Sequence, residues 1–170
     1  MILATDELKK LLRATPPLVD NLLDPERQLT TNGLDLTVAG VERFIGETQG
    51  SLDFSNSARR LPETEPLPWE DDSLLLPPGG WLIRYAEKIN LPRNVIALGK
   101  PRSSLLRMGA TLPSAVWDAG YSGYGQGLLI VHHPAGLILH RRARVLQLVF
   151  LQLSSTTSGY QGTYQGEEQT

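Results

Sequence analysis

The sequence predicts a mainly β fold, a jelly roll or related barrel carrying one short N-terminal helix. Three observations lead there. Short runs of Val, Ile, Leu and aromatic residues recur between Gly- and Pro-rich turns, helical periodicity is confined to one segment near the start, and no internal repeat is visible. At 170 residues, 41% apolar and 20% charged, the chain is sized for one compact domain with its own core.

Taken in order, Thr5 is expected to cap a helix over residues 5–14. Asp6 and Glu7 suit its first turn, Leu8, Leu11 and Leu12 recur at helical spacing, and Pro16-Pro17 stop it. Residues 18–29 read as a loop or short strand with a turn at Asp24-Pro25. Leu34, Leu36 and Val38 then alternate with Asp35 and Thr37, the period of a half-buried strand, which predicts that Asp35 lies on the face away from the core. Residues 46–73, rich in Gly, Ser, Asn, Pro and acid, are expected to form a long excursion with little regular structure.

Pro77-Pro78-Gly79-Gly80 marks a turn before a strand at Trp81–Ala86, and Leu91–Asn94 a turn before a strand at Val95–Leu98. A helical turn is predicted at Ser103–Met108. Gly125-Gln126-Gly127 suggests a flexible hairpin, followed by strands at Leu128–His132, Leu137–His140 and Val145–Leu153. The remaining 154–170 is a polar, Gly- and Gln-rich tail, so the organisation expected is a β domain over 1–153 and a flexible C-terminal tail.

Composition narrows the function. There is no cysteine, which removes disulfides and thiolate metal sites; the first residues carry no secretory pattern, and no apolar run reaches the ~18 residues of a membrane span. A soluble, cytoplasmic protein is expected. With a formal net charge of -2 the chain lacks the basic field that holds a nucleic-acid polymer, so an anionic ligand would be a small one, gripped by a few arginines and backbone amides.

Three runs offer such chemistry. Arg102-Ser103-Ser104, with Arg107 behind it, places two guanidiniums and two hydroxyls at a helical turn; the alternative is a capping Ser pair beside a surface Arg. A phosphate-loop reading of Gly99-Lys100-Pro101 fails, because Asn94 and Pro101 occupy required positions. Asp118 follows Val116-Trp117 and precedes Ala-Gly, so a carboxylate leaves an apolar run at a sharp turn beside Tyr121. Partial desolvation there would suit it to activating a water; otherwise it closes the turn by bonding backbone amides. His132, His133 and His140 do not form a zinc site by spacing, and Gly120–Gly123 lacks the context of a nucleophile elbow.

These runs, in this order, together with Asn32–Leu36, Arg144–Phe150 and Gly159–Gly166, resemble the superfamily of trimeric dUTP pyrophosphatases and dCTP deaminases, in its archaeal-type branch. The resemblance implies a distorted jelly roll of the dUTPase-like β-clip kind, assembled as a homotrimer with sites at subunit interfaces. It implies that Arg102, Ser103, Ser104 and Arg107 bind the triphosphate, that Asp118 is the catalytic carboxylate, and that Tyr121 packs under the deoxyribose. Gln147 would bond the base or support the site, Tyr160, Tyr164 and Gln165 would close over the nucleotide, and Asp35 would support the metal-triphosphate region without being a direct ligand. Mg²⁺ is the implied cofactor. Thr163 stands where many relatives have Lys, and Glu167 where deaminases tend to have Gln.

Deaminases of this superfamily carry a catalytic Glu on the strand after the Asp118-type turn. Here an ungapped match places Leu128 at that position, and one or two inserted residues place Leu129 or Ile130 there; none transfers a proton. The expected activity is therefore hydrolysis of dUTP to dUMP and pyrophosphate, with a dCTP deaminase, alone or bifunctional, and a non-catalytic nucleotide-sensing trimer as alternatives.

Overall fold

A computed structural model of the chain describes residues 1–168. Three helices, α1 (Thr5–Leu12), α2 (Pro25–Gln28) and α3 (Ser103–Arg107), accompany twelve strands. In the first half these are β1 (Val19–Asp20), β2 (Leu29–Thr30), β3 (Gly33–Ile45), β4 (Glu63–Pro66), β5 (Ser73–Leu76) and β6 (Gly79–Asn90). In the second half they are β7 (Val95–Pro101), β8 (Ala110–Thr111), β9 (Val116–Trp117), β10 (Ser122–Val131), β11 (Leu137–His140) and β12 (Arg144–Gln152).

The main sheet runs β8-β10-β6-β3-β12-β7-β9, with β1, β2 and β4 attached beside it and every pairing antiparallel. β3 makes the corner. Its first half pairs with β12 from Leu34 to Thr37, and its second half pairs with β6 and β4 after a register shift between Val38 and Gly40. Irregularities of this kind bend a strand and let it serve two sheet directions. The sheet then curls until β9, at one end, meets β10 near the other. The Trp117 ring centre lies 6.0 Å from that of Tyr85 on β6, and it leaves no space for a side chain at Gly125. Leu34, Leu36, Val38, Ile83, Tyr85, Leu129, Leu146, Leu148 and Phe150 fill the interior.

The jelly-roll expectation stands, and several local expectations change. Ala4, not Thr5, occupies the cap position of α1, because the Thr5 hydroxyl donates instead to the carbonyl of Thr31 at 2.8 Å. The turn at Asp24-Pro25 opens a helical turn, α2: Asp24 Oδ1 accepts from the Arg27 amide at 3.0 Å, and Gln28 Oε1 accepts from the Asp24 amide at 3.0 Å. Residues 125–127 lie inside β10 rather than in a hairpin. The register slips between Tyr124 and Gln126, and glycine is required at 125 because a Cβ there would sit 2.0 Å from the Trp117 ring.

The excursion is more ordered than its composition suggests. Ser51 and Arg60 bridge, β4 pairs with Glu42–Ile45, and Glu70 bridges to Ser73. Asp35 is also not on an open face. Thr37 and Asp35 are both 1% exposed, because α2, β6, Arg102 ahead of α3 and Arg144 of β12 supply polar groups that cover that side of β3.

Candidate active site

The Asp118 turn is built on glycine. Gly120 has a φ of +84°, and a Cβ there would lie 2.7 Å from Gly159 of the tail, so the turn both needs the left-handed conformation and receives the tail at close range. Asp118 and Tyr121 open onto a cavity of about 690 Å³ whose walls also include Phe44, Leu82, Arg84 and Gln126. Tyr121 is 7% exposed, its hydroxyl donates to the Tyr124 carbonyl at 3.0 Å, and burial pushes its phenol well above the usual range. Its ring meets Trp117 edge-on at 5.6 Å and Tyr160 at 5.7 Å. An aromatic stack thus runs from core to tail beside the carboxylate. Asp118 itself is exposed within one chain, and so is Val116, so the desolvated carboxylate expected from the sequence is not produced by the chain's own packing.

The tail packs against the Asp118 turn through hydrogen bonds. Tyr160 N–H donates to the Ala119 carbonyl at 2.8 Å, Gly166 N–H to Ser122 at 2.8 Å, and the Tyr124 amide donates to the Glu167 carbonyl at 2.9 Å. Gln165 reads the turn with its side-chain amide: Oε1 accepts from Ser122 N–H and Nε2 donates to the Gly120 carbonyl, both at 3.1 Å. Tyr160 and Tyr164 consequently line the cavity, as does Glu167, whose carboxyl is raised by desolvation and held back by Arg84 nearby.

The remaining predicted residues form a second cluster. Asp35 Oδ2 lies 3.1 Å from Arg102 Nε and 3.3 Å from Arg144 Nη1. Desolvation raises the Asp35 carboxyl, and the two guanidiniums oppose that shift. Gln147 pairs across the ladder with Asp35, and its Nε2 donates to Thr30 Oγ1 at 2.6 Å. Ser103, Ser104 and Arg107 stand exposed on α3. None of these residues lines the cavity at Asp118. The chain therefore presents two half-sites: an aromatic cavity with a carboxylate, and a cationic ridge fixed by a buried Asp.

Sequence reasoning missed several cavity residues. Arg84 bonds Glu42, which Thr64 also bonds, and Leu61 and Pro62 add a wall from the excursion. These positions have no motif; only the pairing of β4 and β6 with β3 brings them together. On β10, Leu128 pairs with Leu82, and Leu129 is buried, so the strand contributes no carboxylate to the cavity.

The fold defines a β-clip protein, and comparison with known proteins agrees. The sequence profile of the dCTP deaminase-like family matches residues 2–153, and the chain belongs to that family. A relative from Methanosarcina acetivorans, named probable deoxyuridine 5'-triphosphate nucleotidohydrolase, is 45% identical over 98% of this chain and 97% of its own length. One of the same name from Methanosarcina mazei is 44% identical over the same shares. Among solved structures, the 2'-deoxycytidine 5'-triphosphate deaminase from Agrobacterium tumefaciens superposes with a TM-score of 0.63 at 20% identity, covering 88% of this chain and 47% of that longer one, a likeness of fold.

Proposed function

We propose that the chain is a Mg²⁺-dependent dUTP diphosphatase that converts dUTP to dUMP and pyrophosphate. The observation that carries this reading is Asp118 beside Tyr121 at the mouth of an aromatic cavity, in the turn that leads into β10, a strand with no carboxylate between Gly123 and His132. Archaeal relatives similar along nearly the whole chain carry the name of that activity.

In this mechanism the base and sugar enter the cavity, with the deoxyribose over the Tyr121 ring, where a 2′-hydroxyl would be crowded. Asp118 accepts a proton from a water and orients it toward the α-phosphorus, and the bond to the bridging oxygen breaks to release pyrophosphate. Arg102 and Arg107, with Ser103 and Ser104, hold the triphosphate and offset charge developing on its oxygens. Asp35 holds Arg102 and Arg144 in place, so it orients cations rather than reacting.

Magnesium is commonly held by substrate phosphates plus one or two carboxylates. Asp35, the carboxylate nearest Arg102, has its Oδ2 engaged by two arginines, so a magnesium ion bound here would be held chiefly by the phosphates of the substrate. The ion would arrive on the triphosphate, with Asp35 acting through the arginines, and it would neutralise phosphate charge when bound.

Because the two half-sites do not meet in one chain, the reading includes a homotrimer in which the α3 ridge of one copy faces the Asp118 cavity of the next. Exposed Leu106, Met108 and Val116 give such a contact apolar area. No described helix is long and apolar enough to cross a membrane.

The test is to incubate the protein separately with dUTP and dCTP in Mg²⁺ and to assay pyrophosphate and ammonia. Pyrophosphate from dUTP without ammonia from dCTP is expected. Ammonia from dCTP would make the protein a deaminase, and tight dUTP binding without turnover would make it a sensor.

A further inference from the structure

The segment between β3 and β4 has no part in the mechanism above, yet it touches the tail. Its core is a small closed structure. Ser51 and Arg60 bridge through two backbone hydrogen bonds, and Asp53 accepts from the hydroxyls of Ser55 and Ser57 at 2.7 and 2.8 Å and from the Ala58 amide at 3.1 Å. Those donors hold the Asp53 carboxyl down at about 2. β4 then ties the far end of the segment to β3. A side chain leaving this segment at residue 59 therefore starts from a fixed base rather than a loose loop.

That side chain is Arg59. Its Nη2 donates to the Tyr164 hydroxyl, and its guanidinium carbon lies 5.2 Å from the centre of the Tyr164 ring. Both contacts use the same tail residue, and that residue lines the cavity. At the other end of the docked stretch, Glu168 pairs with Lys88 at 3.0 Å. Between them the tail is held by the backbone bonds of 160–167 to the Asp118 turn. Tyr164 itself stays 44% exposed, and Arg59 holds its side chain by both the hydroxyl and the ring.

We infer that Arg59 is a positioning residue for nucleotide binding: the 51–60 segment is a clasp that holds Tyr164, and with it the tail, closed over the cavity. This inference rests on the dUTP reading for its kinetic consequence, but the clasp itself can be measured without nucleotide.

Two measurements on wild type, Arg59→Ala and Arg59→Lys decide it. Chymotrypsin cleaves after Tyr160 and Tyr164, and mass spectrometry follows loss of the tail. Arg59→Ala should lose it about 5- to 10-fold faster than wild type, and Arg59→Lys, which keeps a cation over the ring, should fall between. In steady-state dUTP hydrolysis, Arg59→Ala should raise KM about 5- to 10-fold with kcat changed less than ~2-fold, the pattern of lost uniform binding. In a chain ending at Leu153, the same substitution should change KM less than ~2-fold, because the partner is gone. Tail cleavage at the wild-type rate in Arg59→Ala, or an equal KM effect with and without the tail, would overturn the clasp. Failure of the wild type to cleave dUTP would instead overturn the functional reading and leave the proteolysis result to decide the clasp.

Discussion

At the scale of single residues, Asp118 and Asp35 show how two carboxylates in one chain are given different surroundings. Asp35 is nearly inaccessible and shares one oxygen between two guanidiniums, whereas Asp118 is exposed at a cavity mouth. Only the second is free to meet water. Replacing Asp118→Asn keeps the shape and removes the base, so turnover of dUTP should fall about 10²- to 10⁴-fold while affinity for a non-hydrolysable dUTP analogue changes less than ~3-fold. Steady-state kinetics and calorimetry measure the two; near-normal turnover would show that Asp118 is not the base. Asp118, Tyr121 and Arg102 could be singled out in the sequence as candidates because each sits in a compact motif. Arg84, Glu42 and Arg59 could not, since they come from segments with ordinary composition that are joined only by strand pairing. Asp35 was misread for a related reason: alternation tells which residues share a face, and here both faces of β3 are covered.

At the scale of elements, α2, β3 and β6 are joined by a buried carboxylate. Glu87 is inaccessible; its Oε1 accepts from Gln28 Nε2 at 2.9 Å and Thr37 Oγ1 at 2.6 Å, and its Oε2 from the Thr37 amide at 2.9 Å. Desolvation nonetheless raises this carboxyl above its ordinary value of 4.5. The unfolded chain then ionises first as pH rises, so the folded chain binds more protons in that window. Stability from this group is greatest below 4.5, falls as pH increases toward the raised folded value, and levels off above it. Glu87→Gln should abolish that slope. Either orientation of the amide turns an N–H toward the Thr37 amide or toward the Gln28 and Thr37 donors, so at about pH 4 the variant should be less stable by about 1–3 kcal/mol. Urea unfolding from about pH 4 to pH 8 measures both effects, and an unchanged slope would remove Glu87 from the account. The elements that sequence could not reveal follow the same logic. β4, Glu-Thr-Glu-Pro, has no apolar run to alternate, and the polar end of β6 extends past the strand expected at Trp81–Ala86, with Glu87 buried.

At the scale of the whole molecule, the jelly roll was legible because its short apolar runs and Gly/Pro turns leave few other architectures open. The excursion, expected to lack structure, instead walls the cavity and contacts the tail. The sheet places its two functional clusters apart: Arg102 follows β7 beside β12, while Asp118 follows β9 and leads into β10. A single chain thus carries the proposed triphosphate grip and the proposed hydrolytic carboxylate without bringing them together.

The proposed remedy, a second copy supplying the grip, is also the claim most directly open to measurement. Asp118→Asn and Arg102→Ala are each expected to cleave dUTP poorly as uniform assemblies. In co-expressed mixtures, a site between the intact Asp118 of one chain and the intact Arg102 of another should be restored, and pyrophosphate release from dUTP should return to a sizeable fraction of the wild-type rate. Folded, co-assembled mixtures that stay as inactive as their parents would contradict a dUTP-cleaving site shared between chains.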